Sequence, residues 1–251
     1  LGNTIDIHAG GEDLIFPHHE NEIAQSEAAN GVPFAHYWMH NGFLNIDNRK
    51  MSKSLGNFLL VREILKRYNP DVLRFFMLSA QYRSPLNYSE ELMESAKSGL
   101  ERIRTCGDRL KDLIANAPAE QMSEDEDSLL DTTKEYVTDF ENAMDDDFNT
   151  ADAIAAIFEL VKFANTKLDE DSSSEILMNV YQKIERLLGV LGLEFTVEKE
   201  DVDQQIRDLI EKRQQARKEK NFALADQIRD ELLAQGIELL DTREGVKWKR
   251  V

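Results

Sequence analysis

Residues 50–57 read Lys50-Met51-Ser52-Lys53-Ser54-Leu55-Gly56-Asn57. The stretch follows a short apolar run, Phe43 to Ile46, and a loop signal, Asp47-Asn48. From residue 59 the hydrophobic period becomes helical. Lysine is a mobile point charge, and serine hydroxyls donate to phosphoryl oxygens, so a loop of this composition suits phosphate binding. A solvated basic loop has a similar composition, and only the fixed five-residue string 50–54 sets this one apart.

Working upstream, Thr4-Ile5-Asp6-Ile7-His8 alternates as a strand does, and Gly10-Gly11 is expected to turn the chain. Paired glycines at a strand's carboxyl end allow close backbone approach to a ligand, and Asp13 just beyond can accept ribose hydroxyls. A plain tight turn would look the same. Phe16-Pro17-His18-His19-Glu20-Asn21-Glu22 opens a helix expected from Pro17 to about Ala29, stopped at Asn30-Gly31. His18 and Glu22 are four apart and share a helix face, so they could share a metal; a hydrogen-bonded surface pair is the commoner use of that spacing. Tyr37 to Met39 reads as another short strand.

Working downstream, helices are expected over Val61–Tyr68, Asp71–Ser79, Ser89 to about Ala115, Leu129–Ala143, Ala151–Leu168 and Ser174–Leu191. Asn149-Thr150 and Ser172-Ser173 stand where N-caps belong, and Asn116 to Asp127 reads as an acidic connector. The tail reads as helices over Val202–Glu219 and Ala223–Ala234, then a hairpin of Ile237–Leu240 and Val246–Lys249.

Composition bounds these readings. The 251 residues are 41% hydrophobic and 31% charged, enough for a real core. No apolar run approaches a membrane span, and nothing reads as a secretory leader. A single cysteine, Cys106, excludes an internal disulfide and fits a reducing, cytoplasmic setting. The net charge of −18 argues against a general nucleic-acid binder, but it is uneven. Residues 1–110 carry 12 basic and 14 acidic side chains, residues 111–200 carry 7 and 23, and residues 201–251 carry 11 and 11. A polyanion could still be held by the two ends. The chain opens at Leu1, inside what reads as a structured element, and is expected to be part of a longer protein.

The string 50–54 is the signature loop of class I aminoacyl-tRNA synthetases, and the whole chain resembles the cysteinyl-tRNA synthetases among them. The resemblance rests on Ile7-His8-Ala9-Gly10-Gly11, Phe16 to Ser26, Tyr37-Trp38-Met39-His40, the lysine string, Asn87 to Glu91, Ala143 to Thr150, Ala216-Arg217-Lys218, Ala225-Asp226, Arg229-Asp230 and Trp248-Lys249-Arg250. It implies a mixed, mainly α fold in four parts. Residues 1–58 are the end of a Rossmann-type α/β catalytic domain, 59–115 are stem helices, 116–200 an acidic helix bundle, and 201–251 a small α/β anticodon-binding module. It implies the C-terminal part of a monomeric enzyme that activates L-cysteine with Mg-ATP and transfers it to cysteine tRNA. Lys53, assisted by Lys50, would act catalytically on the ATP phosphates. Ser52, Ser54, Gly10, Gly11 and Asp13 would line the nucleotide, and His8 the substrate pocket. A zinc ion would take His18 and Glu22, with two cysteines lying outside this sequence. Arg217, Asp226, Asp241 and Trp248 are the implied anticodon readers, and Arg213, Lys218, Lys220, Lys247, Lys249 and Arg250 could complete a basic patch. A ligase joining cysteine to an amino sugar shares the loop and zinc site but lacks the final module, and a non-catalytic tRNA-binding fragment is a third reading.

Overall fold

The computed structural model describes residues 2–51, 59–118, 120–195, 209–214, 216, 221–234, 237–242 and 245–250. The chain divides into two compact units, Leu1–Thr196 and Val197–Val251.

In the first unit, β1 (Ile5–Gly11) pairs in parallel with β2 (Ala35–Asn41), with His8 opposite Trp38 and Gly10 opposite His40. The connection carries α1 (Glu20–Asn30), which Gly31 terminates in the left-handed region at φ 70°. The expected turn at Gly10-Gly11 is not there: both glycines belong to the strand, and the chain turns after them, in a 3-10 turn at Glu12–Leu14 and a π turn at Ile15–His19. The helix proper therefore starts at Glu20, with Phe16 extended just ahead of it.

A second sheet mounts the lysine loop. β3 (Leu44–Ile46) and β4 (Arg49–Lys50) form a hairpin whose two turn residues, Asp47 and Asn48, both have positive φ, as a type I′ turn requires. β5 (Leu86–Tyr88) lies parallel to β3 on its other side. The Asn48 N–H donates to Oδ1 of Asn87 at 2.7 Å, fastening the turn to β5. The sequence pattern predicts no strand at residues 86–88.

The helices are α2 (Val61–Ile64), α3 (Pro70–Leu78), α4 (Glu90–Asn116), α5 (Glu124–Asp145), α6 (Thr150–Lys167) and α7 (Ser174–Val190). Their starts follow cap chemistry: Asn69, Ser89, Ser123, Asn149 and Ser173 each accept a hydrogen bond from a first-turn N–H. At Ser123 the Glu126 carboxylate reaches back to the cap N–H, a full capping box. That box starts α5 five residues ahead of the expected Leu129, inside the stretch read as connector. α2 is shorter than expected, with Tyr68 buried beyond its end.

One apolar core runs from Ile46 to Phe195. Met93, Leu100, Ile103 and Leu110 of α4 meet Ile157 and Leu160 of α6 and Ile176, Val180 and Ile184 of α7, all at most 1% exposed. Arg104 of α4 pairs with Asp71 of α3 at the core's edge. The loop between α3 and β5 ties sheet to bundle: the Gly42 N–H donates to the Tyr82 carbonyl at 2.8 Å, and the Tyr82 hydroxyl donates to Asp147 at 2.9 Å. Asp147 and Phe148, in the α5–α6 turn, both sit at φ 54°.

In the second unit, residues 209–214 are helical and α8 (Phe222–Ala234) precedes an antiparallel hairpin of β6 (Ile237–Thr242) and β7 (Gly245–Arg250). Ile210, Ile228, Leu232 and Ile237 form its core. Arg213, counted above towards a basic patch, is only 5% exposed and adds nothing to a surface one.

Leu160→Ala removes a side chain with no exposure, so it should cost about 2–5 kcal/mol, whereas Ser123→Ala, which opens the capping box, should cost about 1 kcal/mol. Urea unfolding followed by helical circular dichroism measures both; equal losses would deny the α4–α6–α7 core its central place.

Candidate functional site

The two parallel strands deliver side chains to one place. On β1, His8 and Gly10 share a face, and on β2 so do Trp38 and His40, because strand side chains alternate. The His8 ring lies 4.7 Å from Trp38, 5.0 Å from His19 and 5.2 Å from Phe34, centroid to centroid. Trp38 stacks on His40 with 12° between the rings. His19, at 4% exposure, is the buried member, and its Nδ1 lies 2.8 Å from Nε2 of His40. One of these nitrogens donates and the other accepts, so the tautomers of the two rings are linked. Burial, and then the neighbouring His40 and His8 charges, hold the His19 imidazolium below its ordinary range.

Gly10 is what makes room for this. A Cβ at Gly10 would stand 2.8 Å from Cε1 of His19. The glycine's role is therefore close approach, and not the turn that its sequence context suggests. At Gly11 a Cβ would meet Oδ1 of Asp13 at 2.6 Å, so Asp13 folds back over the strand end. Both glycines lie at the carboxyl end of β1, and the carboxyl ends of parallel strands are where ligands of open α/β sheets bind.

Glu22, from the first turn of α1, reaches into the cluster. Its Oε2 is 2.8 Å from Nε2 of His8, and its Oε1 is 3.4 Å from Nε2 of His18. The His18 side chain is largely exposed. Ligand atoms of His8, His19 and Glu22 lie within 4.8 Å of one another, a grouping that could hold a metal ion. Two imidazoles and a carboxylate are donors that zinc accepts, and His40 stands behind His19 as a second-layer ring holder. The sequence points to His18 and Glu22; the structure keeps that pair in contact and adds His8, His19 and His40. The concentration of all five histidines in the first 40 residues is the signal for the additional two, His19 and His40.

The remaining sequence-derived residues are placed as follows. Lys50 ends β4 beside Asn45 of β3, so the lysine loop leaves directly from the three-stranded sheet. Ser52, Lys53, Ser54 and Arg217 lie outside the described residues. Asp226 is exposed on α8. Asp241 on β6 pairs with Val246, and Trp248 on β7 with Leu239.

Cys106 takes no part in the cluster. It lies in α4 with 1% exposure, its Sγ 4.0 Å from the Val161 carbonyl, and burial pushes its thiol up to about 11, with Arg109 opposing. The folded state holds this proton more tightly than the unfolded chain, whose thiol has the ordinary value of 9.0. The thiol's contribution to stability is therefore full below pH 9 and is lost as the pH rises towards about 11. The stability difference between the wild type and Cys106→Ala should shrink across that window, and native Cys106 should resist iodoacetamide at pH 8. Rapid native alkylation would contradict this burial.

The chain matches two family models: "tRNA synthetases class I (C) catalytic domain" over residues 1–98 and "DALR domain" over residues 139–196. It is 62% identical over 250 residues to a protein of Lachnospira eligens named Cysteine--tRNA ligase, covering all of this chain and 53% of the relative. Proteins of the same name from Lachnoclostridium phytofermentans and a Geobacillus species are 56% and 57% identical, covering all of this chain and 54% and 53% of theirs. The chain thus spans about half the length of the curated relatives it matches. Among solved structures it is similar in fold to the Agrobacterium radiobacter LeuRS in a ternary complex with tRNA and LeuAMS, with a TM-score of 0.61 at 19% identity over 73% of this chain and 25% of that one. It is also similar to the methionyl-tRNA synthetase of Mycobacterium tuberculosis bound by methionyl-adenylate, with a TM-score of 0.58 at 19% identity over 74% of this chain and 41% of that one. Its βαβ segment thus matches the class I catalytic-domain model, its later helices match the DALR model, and along its entire length the chain is similar to proteins named cysteine--tRNA ligase.

Proposed function

We propose that this protein joins the L-cysteine carboxylate to the α-phosphate of ATP, releasing pyrophosphate, and passes the cysteinyl group to the 3′ end of cysteine tRNA, releasing AMP. The observation that carries the reading is the 62% identity, over the whole chain, to a protein named for that reaction. The reaction is one of the whole protein. In keeping with that, the β1–β2 pair has an open face, with Ile7 at 57% and Tyr37 at 69% exposure. Parallel sheets are normally covered on both faces, so this pair is suited to a larger sheet.

In this reading the lysine loop acts on the triphosphate. Charge builds on the phosphates as the bond to pyrophosphate breaks, and Lys53, assisted by Lys50, stabilises that state more than the ground state. Ser52 and Ser54 donate to phosphoryl oxygens, while Gly10, Gly11 and Asp13 line the nucleoside. The three-stranded sheet gives the loop a fixed root at Lys50.

The histidine face receives the amino acid. His18 and Glu22 would hold a zinc ion, with further ligands from outside these residues, and His8 keeps the Glu22 carboxylate aimed. Zinc there would bind a soft thiolate far better than a serine hydroxyl, which selects cysteine. His19 and His40 fix each other's tautomers beneath it.

Arg217, Asp226, Asp241 and Trp248 are the proposed readers of the anticodon, and residues 201–251 the module that carries them. Unpaired loop bases present edges and faces that such side chains can bond and stack on. Residues 201–251, read as that module, count against the amino-sugar ligase. The four-part division at 58, 115 and 200, a monomeric state and a cytoplasmic location complete the reading.

Lys53→Ala in the whole protein should slow cysteine-dependent ATP–pyrophosphate exchange by roughly 100-fold, if the lysine supplies about 3 kcal/mol to the transition state. Binding of cysteine tRNA should change little. Exchange at the wild-type rate would remove Lys53 from the mechanism.

A further inference from the structure

Residues 111–200 contain only seven cations, Lys111, Lys134, Lys162, Lys167, Lys183, Arg186 and Lys199, among 23 carboxylates. Three of the seven, Lys134 of α5 and Lys183 and Arg186 of α7, line one groove of about 460 Å³ between the two helices. Its other polar walls are Thr138, Asn179 and Gln182, and no carboxylate lines it. A larger groove of the same bundle is the opposite in character, lined by Asp112, Asp169, Glu170 and Asp171 with Arg109. Within a strongly acidic block, three of the seven cations share one groove, and the carboxylates paired with two of them, Asp131 and Glu141, stand at its rim.

Lys183 is the informative member. Its Nζ donates to Oγ1 of Thr133 at 2.6 Å, and Thr133 is completely buried and spends its own proton on the Leu130 carbonyl. Among the described residues Lys183 has no carboxylate within ion-pair distance. Its ammonium is held below the ordinary lysine range, first by desolvation and then by Lys134, with Asp131 opposing and Arg186 adding to it. A cation in that position is a cost to the free protein, and a cost that an anionic ligand would relieve. Lys134 and Arg186 do have partners, Asp131 at 2.7 Å and Glu141 at 3.3 Å. Both pairs are well exposed at the rim, with side chains 61–71% accessible, and such pairs are worth little, so a stronger anion can replace the carboxylates.

From this we infer that the α5–α7 groove binds a backbone phosphate of transfer RNA, with Lys183 and Arg186 as its principal contacts and Lys134 at its edge. The inference rests on the ligase reading for the identity of the RNA. Three cations along one groove, with amide and hydroxyl donors beside them, suit a phosphodiester, which presents charged oxygens. The surrounding acidity makes the contact local: a polyanion is repelled by the rest of the block and held only where its backbone crosses this groove.

The test is the salt dependence of cysteine tRNA binding to the whole protein. Removing one lysine or arginine from a phosphate should lower the slope of log affinity against log salt by about one unit and affinity by roughly threefold. Lys183→Gln should thus remove about one unit, and Lys183→Gln/Arg186→Gln about two, with roughly tenfold weaker binding. Lys167→Gln, which deletes the same charge from an exposed site on α6, should leave the slope unchanged. The thermal midpoint of Lys183→Gln should hold or rise, since an uncompensated cation is removed. Should that variant nonetheless unfold early, Lys134→Gln/Arg186→Gln repeats the measurement on exposed side chains alone. Wild-type slopes in the groove variants, weaker binding at an unchanged slope, or an equal loss in Lys167→Gln would each overturn the groove assignment and leave the ligase reading standing. A wild-type protein that does not bind the tRNA would overturn both.

Discussion

The buried stripe of α4 is the constraint on which the first unit depends. Met93, Leu100, Ile103 and Leu110 have to be covered, and α3, α6 and α7 are the elements that cover them. Ser89, which caps α4, follows directly on β5, and β5 is the strand on which β3 lies. The position of the hairpin that ends at Lys50 is in this way set by helix packing: the core orients α4, α4 orients β5, and β5 holds β3. The three-stranded sheet is thereby joined to the larger apolar core among the described residues.

The histidine cluster is built differently. Only its sheet neighbours and one turn hold it, so its geometry depends on fit at a few atoms. Gly10 leaves space for His19, the π turn at Ile15–His19 swings that ring under β1, and Glu22 comes from the next helical turn. Imidazoles and a carboxylate gather where the fold permits backbone and ring to approach to contact distance. The acidic bundle, by contrast, uses its few cations sparingly and in company.

Which features can be read in the sequence follows from how local their causes are. Caps at Ser89, Asn149 and Ser173 and the hairpin at residues 237–250 depend on neighbours within a few positions, and all are legible. So are the lysine string and the His18–Glu22 spacing, whose residue types carry their chemistry with them. β5 is not, because three residues carry no period, and its partner is 42 positions away in the register Leu44 to Leu86. The early start of α5 escapes the pattern because Ser123 and Glu126, a capping box, lie in a run so acidic that it resembles a linker. Gly10-Gly11 passes for a turn because a pattern cannot show that an imidazole, and not a bend in the chain, requires the missing Cβ. His19 and His40 are visible only as part of a histidine-rich start, since their meeting depends on parallel strand pairing.

The parallel pairing of β3 with β5 also sets an order of events during synthesis. The lysine loop is complete at residue 57, yet the strand that anchors its root does not exist until Tyr88 has been made. At about 5–20 residues per second, a nascent chain passes a few seconds with the lysine string made and β5 still to come. During that time the hairpin of β3 and β4 has an unpaired edge, open to other strands. Emergence of α3 and the first turns of α4 ends this exposure. The helices between β4 and β5 thus act as a timer as well as a spacer, and a stalled or cleaved product ending between residues 60 and 85 would carry the β3–β4 hairpin without the strand that pairs with it.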